Sequence, residues 1–180
     1  MNPNWWQQIA GTIAAEFSDL SDLAQTTQVV LRLMVAAVLG GLLGWEREHS
    51  GQAAGVRTHM LVAMGAALFV LVSQQLGMGK EDLSRVIQGL TAGVGFLCAG
   101  TILKGDKGGD VKGLTTAAGL WMTAAIGVAA GLGRELTAVL AAVLAFVVLA
   151  LVPVLVRLID RPAPLITDGD TPRQRIHTKD

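Results

Sequence analysis

The sequence has one cysteine, Cys98, among 180 residues. That excludes an internal disulfide and a zinc cluster built on cysteines. Its three histidines, His49, His59 and His177, are scattered and give no metal-ligand spacing. Met1 to Gln25 contain no lysine or arginine and carry Glu16, Asp19 and Asp22, which excludes a secretory signal with a basic leading region. No tandem repeat of about 20–50 residues is visible. Fourteen basic and fourteen acidic residues cancel, so net charge gives no reason to expect a nucleic-acid partner.

Apolar residues are abundant. They make up 52% of the chain, with a mean hydropathy of +0.52, too much for an ordinary soluble domain of this length. A spanning helix needs about 17–25 largely apolar residues. Five stretches qualify: Thr27 to Trp45, Thr58 to Leu76, Val86 to Leu103, Leu114 to Leu132 and Leu136 to Leu158. The third is the weakest, interrupted by four glycines. Before them Trp5, Trp6, Ile9, Ile13, Phe17 and Leu20 recur at helical spacing, the pattern of an amphipathic helix lying in the headgroup zone. The fold class expected is therefore all-α: a polytopic helix bundle of five spans plus an N-terminal interfacial helix. The segments are 1–25, a membrane domain over 26–158, and a polar, proline-containing tail over 159–180 that does not form a packed domain.

Five spans put the termini on opposite sides. One side would hold Arg47, Arg57, Lys104, Lys107, Lys112 and the five basic residues from Arg157 onward; the other would hold Lys80, Arg85 and Arg134. The positive-inside rule then places the N-terminus outside and the C-terminus in the cytoplasm.

Gln88, Thr91, Gly95 and Cys98 share one face of the third span, and Thr116, Gly119, Thr123 and Gly127 one face of the fourth. Small and hydroxyl residues let helices approach closely in lipid, so this hairpin is expected at the centre of the bundle, the two faces together. Gly40 and Gly44, Gly89 and Gly93, and Gly127 and Gly131 each make a GxxxG, predicting close crossings, a homodimer seam among them.

Two polar features stand out. Arg32 lies inside the first span, where a charge costs about 2.5–3.5 kcal/mol at mid-helix; it is expected either to snorkel or to meet a polar partner such as Gln88. The turn WEREHSGQAAGVRTH places Glu46 and Glu48 at a helix C-terminus and Arg57 at a helix N-terminus, each disfavoured by the local dipole. Mutual neutralisation across the turn is the simplest compensation, worth about 0.2–1 kcal/mol where exposed. A docking patch, a cation site on Glu46 and Glu48, and acid/base chemistry by Glu46, Glu48 and His49 are the functional alternatives. The loop LKGDKGGDVKG lacks P-loop order, and GVGFLCAG follows no strand, so neither reads as a nucleotide site. No catalytic residue, metal or cofactor is assigned.

The segments RLMVAAVLGGLLGWERE, AGVRTHMLVAMGAALFVL, RVIQGLTAGVGFLCAGTI and VKGLTTAAGLWMTAAIGVAAGLG together resemble, in the same order, the membrane domain of the MgtC/SapB family over roughly Arg32 to Val156. The resemblance implies a bacterial inner-membrane protein, one of a group linked to growth in low magnesium and to survival in host cells. It implies a regulator more than a transporter, non-enzymatic, acting on another membrane protein, for which the membrane sector of the F-type ATP synthase is the best-described target. A small transporter or channel for Mg²⁺ is the alternative. Matching motif positions are Arg32, Glu46, Arg47, Glu48, Arg57, Thr58, Gln88, Gly93, Gly95, Gly100, Gly113, Thr115, Thr116 and Trp121; the hairpin adds Thr91 and Cys98 as contact candidates. Virulence-associated members commonly carry a soluble ACT-like C-terminal domain, and some have Asn at the position of Thr115 and Cys at that of Met122.

Overall fold

A computed structural model describes residues 4–16, 18, 22–104 and 111–159. The tail from residue 160, the loop over 105–110 with Lys107, and Phe17 and Leu20 of the amphipathic pattern lie outside the described residues. Six helices follow in order: α1 (Trp5–Glu16), α2 (Leu23–His49), α3 (Val56–Gln75), α4 (Lys80–Thr101), α5 (Leu114–Gly131) and α6 (Glu135–Ile159). Helices α2 to α6 are each long and apolar enough to cross a membrane. Between α4 and α5 a two-residue antiparallel ladder, β1 (Leu103–Lys104) with β2 (Val111–Lys112), closes the loop. The protein is all-α in class, as expected, and α1 buries none of its residues, leaving Trp5, Trp6, Ile9 and Ile13 exposed.

Local chemistry sets the helix ends. Asp22 caps α2 by accepting from the Ala24 amide at 3.1 Å. Gly51 and Gly133, at φ +69° and +71°, end α2 and α5 in paired return bonds: Gly51 N–H to Glu48 O with Gln52 N–H to Arg47 O, and Gly133 N–H to Ala130 O with Arg134 N–H to Ala129 O. This Schellman geometry uses carbonyls that the helix end would otherwise leave unpaired, and glycine adopts it without strain.

The centre of the bundle is α5, which touches α2, α3, α4 and α6. Its Thr116, Gly119, Thr123 and Gly127 face is buried as the spacing predicts, but it packs on α2 and α3. The reason is steric fit. A Cβ on Gly127 would strike the Ala63 carbonyl, and one on Gly131 would lie 2.6 Å from the Ala67 carbonyl. Across the α2–α3 crossing, a Cβ on Gly40 would come within 2.7 Å of the His59 carbonyl, and one on Gly44 within 2.7 Å of Val56 Cα. Two of the three GxxxG pairs are thus close crossings inside the chain, and alanines 36, 63, 67, 130, 138 and 142 fill the core between them.

The expected hairpin centre is corrected accordingly. Helix α4 is peripheral, with Cys98 its one buried residue, donating to the Ala117 carbonyl at 3.1 Å. Gln88, Thr91 and Gly95 are exposed, and nothing lies within 4 Å of a Cβ built on Gly89, Gly93, Gly95 or Gly100. Nor do those glycines break the helix, which runs unbroken from Lys80 to Thr101.

These contacts predict a contrast in stability. Gly44→Ala and Gly127→Ala should each destabilise the protein by about 1–3 kcal/mol through overpacking against backbone, whereas Gly93→Ala should change stability by less than about 0.5 kcal/mol. Thermal unfolding in detergent micelles, followed by circular dichroism, measures the difference.

Candidate functional site

Both arginines of α2 end on backbone carbonyls. Pro153 stands inside α6, and proline has no N–H to give the carbonyl four residues earlier. That carbonyl belongs to Leu149, and Arg47 Nη2 donates to it at 3.3 Å. Arg47 Nε also pairs with the Glu46 carboxylate, and Ser50 Oγ donates to the second oxygen of Glu46 at 2.8 Å. Adjacent residues on a helix do not ordinarily face one another. Here both side chains turn to the same spot, with Arg47 3% exposed and Glu46 9%.

The α2–α3 turn closes over this pair. Glu48 Oε2 accepts from the Val56 amide at 3.0 Å, capping α3, whose own N-cap residue Gly55 has no side chain to do so. A carboxylate at a helix N-terminus is favoured by the dipole. Gln52 Oε1 accepts from Thr116 Oγ1 at 3.0 Å and fastens the turn to α5. His59 is fully buried beneath, its Nδ1 3.0 Å from the Gly55 carbonyl. A carbonyl only accepts, so Nδ1 carries the proton, and Nε2 is left without a hydrogen-bond partner among the described residues. It points toward Gly119, where an added Cβ would sit 3.6 Å away.

At the opposite end Arg32 Nη1 donates to Gln74 Oε1 at 2.8 Å and to the Gly131 carbonyl at 3.1 Å, while Nε lies 3.8 Å from Glu135 Oε1. One guanidinium joins α2 to α3, the last turn of α5 and the first turn of α6. A cation at the C-terminus of α5 and a carboxylate at the N-terminus of α6 both suit their helix dipoles.

Two expectations are corrected here. The partner of Arg32 is Gln74, with the Gly131 carbonyl and Glu135, and not Gln88, which is exposed on α4. The turn is balanced by Arg47 on Glu46 and by Glu48 on the α3 cap; Arg57 is exposed and makes no ion pair among the described residues. Of the other candidates, Thr116 joins the buried cluster, Thr58 is half-buried beside it, and Gly113 begins α5 packed against the Thr101 carbonyl. Gly93, Gly95 and Gly100 face open space, and Thr115 is exposed. Thr91 and Trp121 meet along a groove of about 160 Å³ at the outer seam of α4 and α5. His49 is exposed, with Nδ1 on the Trp45 carbonyl, so the acid/base trio does not assemble. No group of three or more histidine, cysteine or acidic side chains is placed to hold a metal ion among the described residues.

His59 and Gln52 were not singled out by sequence reasoning. A signal for His59 existed: Ala63, Ala67 and Val70 follow it at spacings of four, four and three, which puts it on the most tightly packed face of α3.

A model of the MgtC family matches residues 33–158. The chain belongs to the MgtC family. It is 43% identical over 115 residues to the Escherichia coli protein named "Putative magnesium transporter YhiD", covering 60% of this chain and 53% of that one. It is 47% identical over 113 residues to Protein SrpB of Synechococcus elongatus, covering 57% and 62%, and 49% identical over 98 residues to Protein MgtC of Brucella abortus, covering 54% and 40%. The chain thus spans about half the length of these relatives. No solved structure matches it. Family and helices together make it a multi-pass membrane protein.

The arginine bridge predicts a specific coupling. Arg47→Gln should cost about 3–5 kcal/mol, because it leaves Glu46 buried without its counter-charge. In a Pro153→Ala background, where the Leu149 carbonyl regains a helical donor, that cost should fall by about 0.5–1.5 kcal/mol, the net worth of one hydrogen bond. A double-mutant cycle by chemical denaturation in micelles reads it.

Proposed function

We propose that this MgtC-family protein is a non-enzymatic regulator of magnesium and energy homeostasis in a bacterial inner membrane, acting by lateral contact with another membrane protein. The observation that carries the reading is the placement of α4. It is the least apolar of the five spans, and yet it is almost wholly outside the bundle. The arginines and carboxylates of the interior have partners within the chain and brace it, so the surface left for recognition is lateral. The α4–α5 seam, with Thr91 and Trp121 along its groove and Gln88 one turn away, is the contact proposed. Tryptophan is a frequent anchor of such contacts. The magnesium connection is supported by the name of the relative from Escherichia coli. On this reading the N-terminus is periplasmic and the C-terminus cytoplasmic, as the distribution of basic residues favours, and the target is the membrane sector of the F-type ATP synthase.

The test is ATP-driven proton pumping in inverted inner-membrane vesicles at matched synthase content. Pumping should be lower with the protein present, and Trp121→Ala, which removes an anchor worth on the order of 2 kcal/mol, should restore most of it at unchanged protein level and without passive proton leak. Equal pumping with and without the protein would remove the synthase from the proposal. The name of the Escherichia coli relative favours a second reading, transport of Mg²⁺. Magnesium flux into liposomes containing the purified protein, with pumping unaffected, would replace the regulatory reading with that one.

A further inference from the structure

Helix α4 has three sides. Leu83, Ile87, Leu90, Val94 and Cys98 form its half-buried to buried side, and Gln88, Thr91 and Gly95 share a second, exposed side on which Thr91 lines the groove at the α5 seam. The remaining side carries Asp82, Arg85, Gly89, Gly93, Phe96 and Gly100, at successive spacings of three, four, four, three and four, all exposed. These spacings hold the six on one stripe of a helix with 3.6 residues per turn. The stripe is unpartnered along its length: nothing lies within 4 Å of a Cβ on any of its three glycines, and Phe96 is 85% exposed. Asp82 and Arg85 make no ion pair among the described residues.

We infer that this side of α4 is a homodimer interface, and that a second copy of this chain occupies it. The argument is charge complementarity under symmetry. Copies inserted the same way in a membrane are related by a two-fold axis along the membrane normal, so their α4 helices run parallel. In such an isologous contact residue i meets residue j and j meets i. Asp82 and Arg85 lie three residues apart on the same stripe, so Arg85 of each copy faces Asp82 of the other, and two ion pairs form from charges that have no partner within the chain. A heterologous helix would need its own matching charges at that depth; a second copy supplies them by symmetry. Below the charges, Gly89 and Gly93 permit the close backbone approach that drives helix association in lipid. The side chain of Phe96 then faces the gap that Gly93 and Gly100 leave on the facing helix. A groove of about 480 Å³ between α3 and α4, walled by Phe69, Gly89 and Gly93, flanks the stripe and gives the second helix depth to settle into. Seam and stripe lie on different sides of α4, so a dimer leaves the seam free, and the inference does not depend on the regulatory reading.

The test is subunit counting by single-molecule photobleaching of the full-length protein in phosphatidylethanolamine–phosphatidylglycerol liposomes over a range of protein densities. Two-step bleaching should rise to a plateau without higher steps. Gly89→Leu combined with Gly93→Leu, at positions where an added Cβ meets nothing within 4 Å, should raise the density needed for dimers at least about tenfold. Asp82→Arg alone should weaken the dimer similarly, and Asp82→Arg together with Arg85→Asp should restore it, which a variant that merely misfolds cannot do. Single-step bleaching at every density overturns the inference. So does a dimer indifferent to the leucines, or one that the exchanged charges fail to restore.

Discussion

A carbonyl without a donor inside a membrane is what the structure is built to avoid. Each unsatisfied backbone group in hydrocarbon costs several kcal/mol, and Pro153 creates one at Leu149 by withholding its N–H. Arg47 reaches across from α2 to fill that position. Bringing a guanidinium there demands a counter-charge, which Glu46 provides, and Glu46 in turn takes Ser50 from the following turn. The turn is then held on α5 by Gln52 and Thr116 and on α3 by Glu48 and the Val56 amide. One missing hydrogen bond in α6 thereby fixes the geometry where α2, α3, α5 and α6 converge. Arg32 does the same at the other end, where the unpaired carbonyl is that of Gly131 at the end of α5.

Between these two braces the bundle relies on small side chains. Lipid offers little hydrophobic gain for joining helices, so contact has to be close to be worth making. The glycines at 40, 44, 127 and 131 place α2, α3 and α5 against each other's backbone, and alanine fills the intervening volume. Helix α6, the most apolar, needs only its Ala138, Ala142 and Ala145 edge to dock and turns its leucines and valines outward. Position in the bundle therefore follows apolarity for α6, as expected of a lipid-facing helix, and departs from it for α4.

Much of this was legible in the sequence. Length and apolar run give all five spans, four of them within four residues at each end and the third starting six residues late because Lys80 to Arg85 are mostly polar, and the helical spacing of Trp5, Trp6, Ile9 and Ile13 gives α1. The buried stripe of α5 was legible too, since Thr116, Gly119, Thr123 and Gly127 have no other reason to align. What was not legible is which helix each stripe meets. The α4 and α5 stripes are both built of small or polar residues at similar spacing, so pattern alone pairs them with each other; complementarity to Ala63 and Ala67 of α3 decides otherwise, and that is a three-dimensional fit. Arg32 illustrates the same limit. Gln74 and Gln88 are equally good partners as residue types, and only the return path of α3 selects Gln74. Glu48 was misread through its own helix: the C-terminus of α2 disfavours a carboxylate, but one turn of chain brings it to the N-terminus of α3, where it is favoured.

Polar groups at membrane depth are usually taken as signs of function, because their cost must be offset by something. Here that inference has to be applied after the internal partners are counted. Arg32, Arg47, Glu46, Gln52 and Thr116 are the polar residues that draw the eye inside the bundle, and each is bonded to another part of the same chain, while the buried His59 is bonded through Nδ1 alone. Their cost is offset by the fold, so they argue for stability first. The residues whose placement the fold does not explain are the quieter ones: glycines with open space in front of them, a phenylalanine left almost bare, and an acid and a base one turn apart on the same exposed side of the least apolar span. Such a surface gives up van der Waals contact without any gain inside the chain. In a helix otherwise free to carry leucine at those positions, as α6 does, the dimer proposed above supplies a physical reason for it.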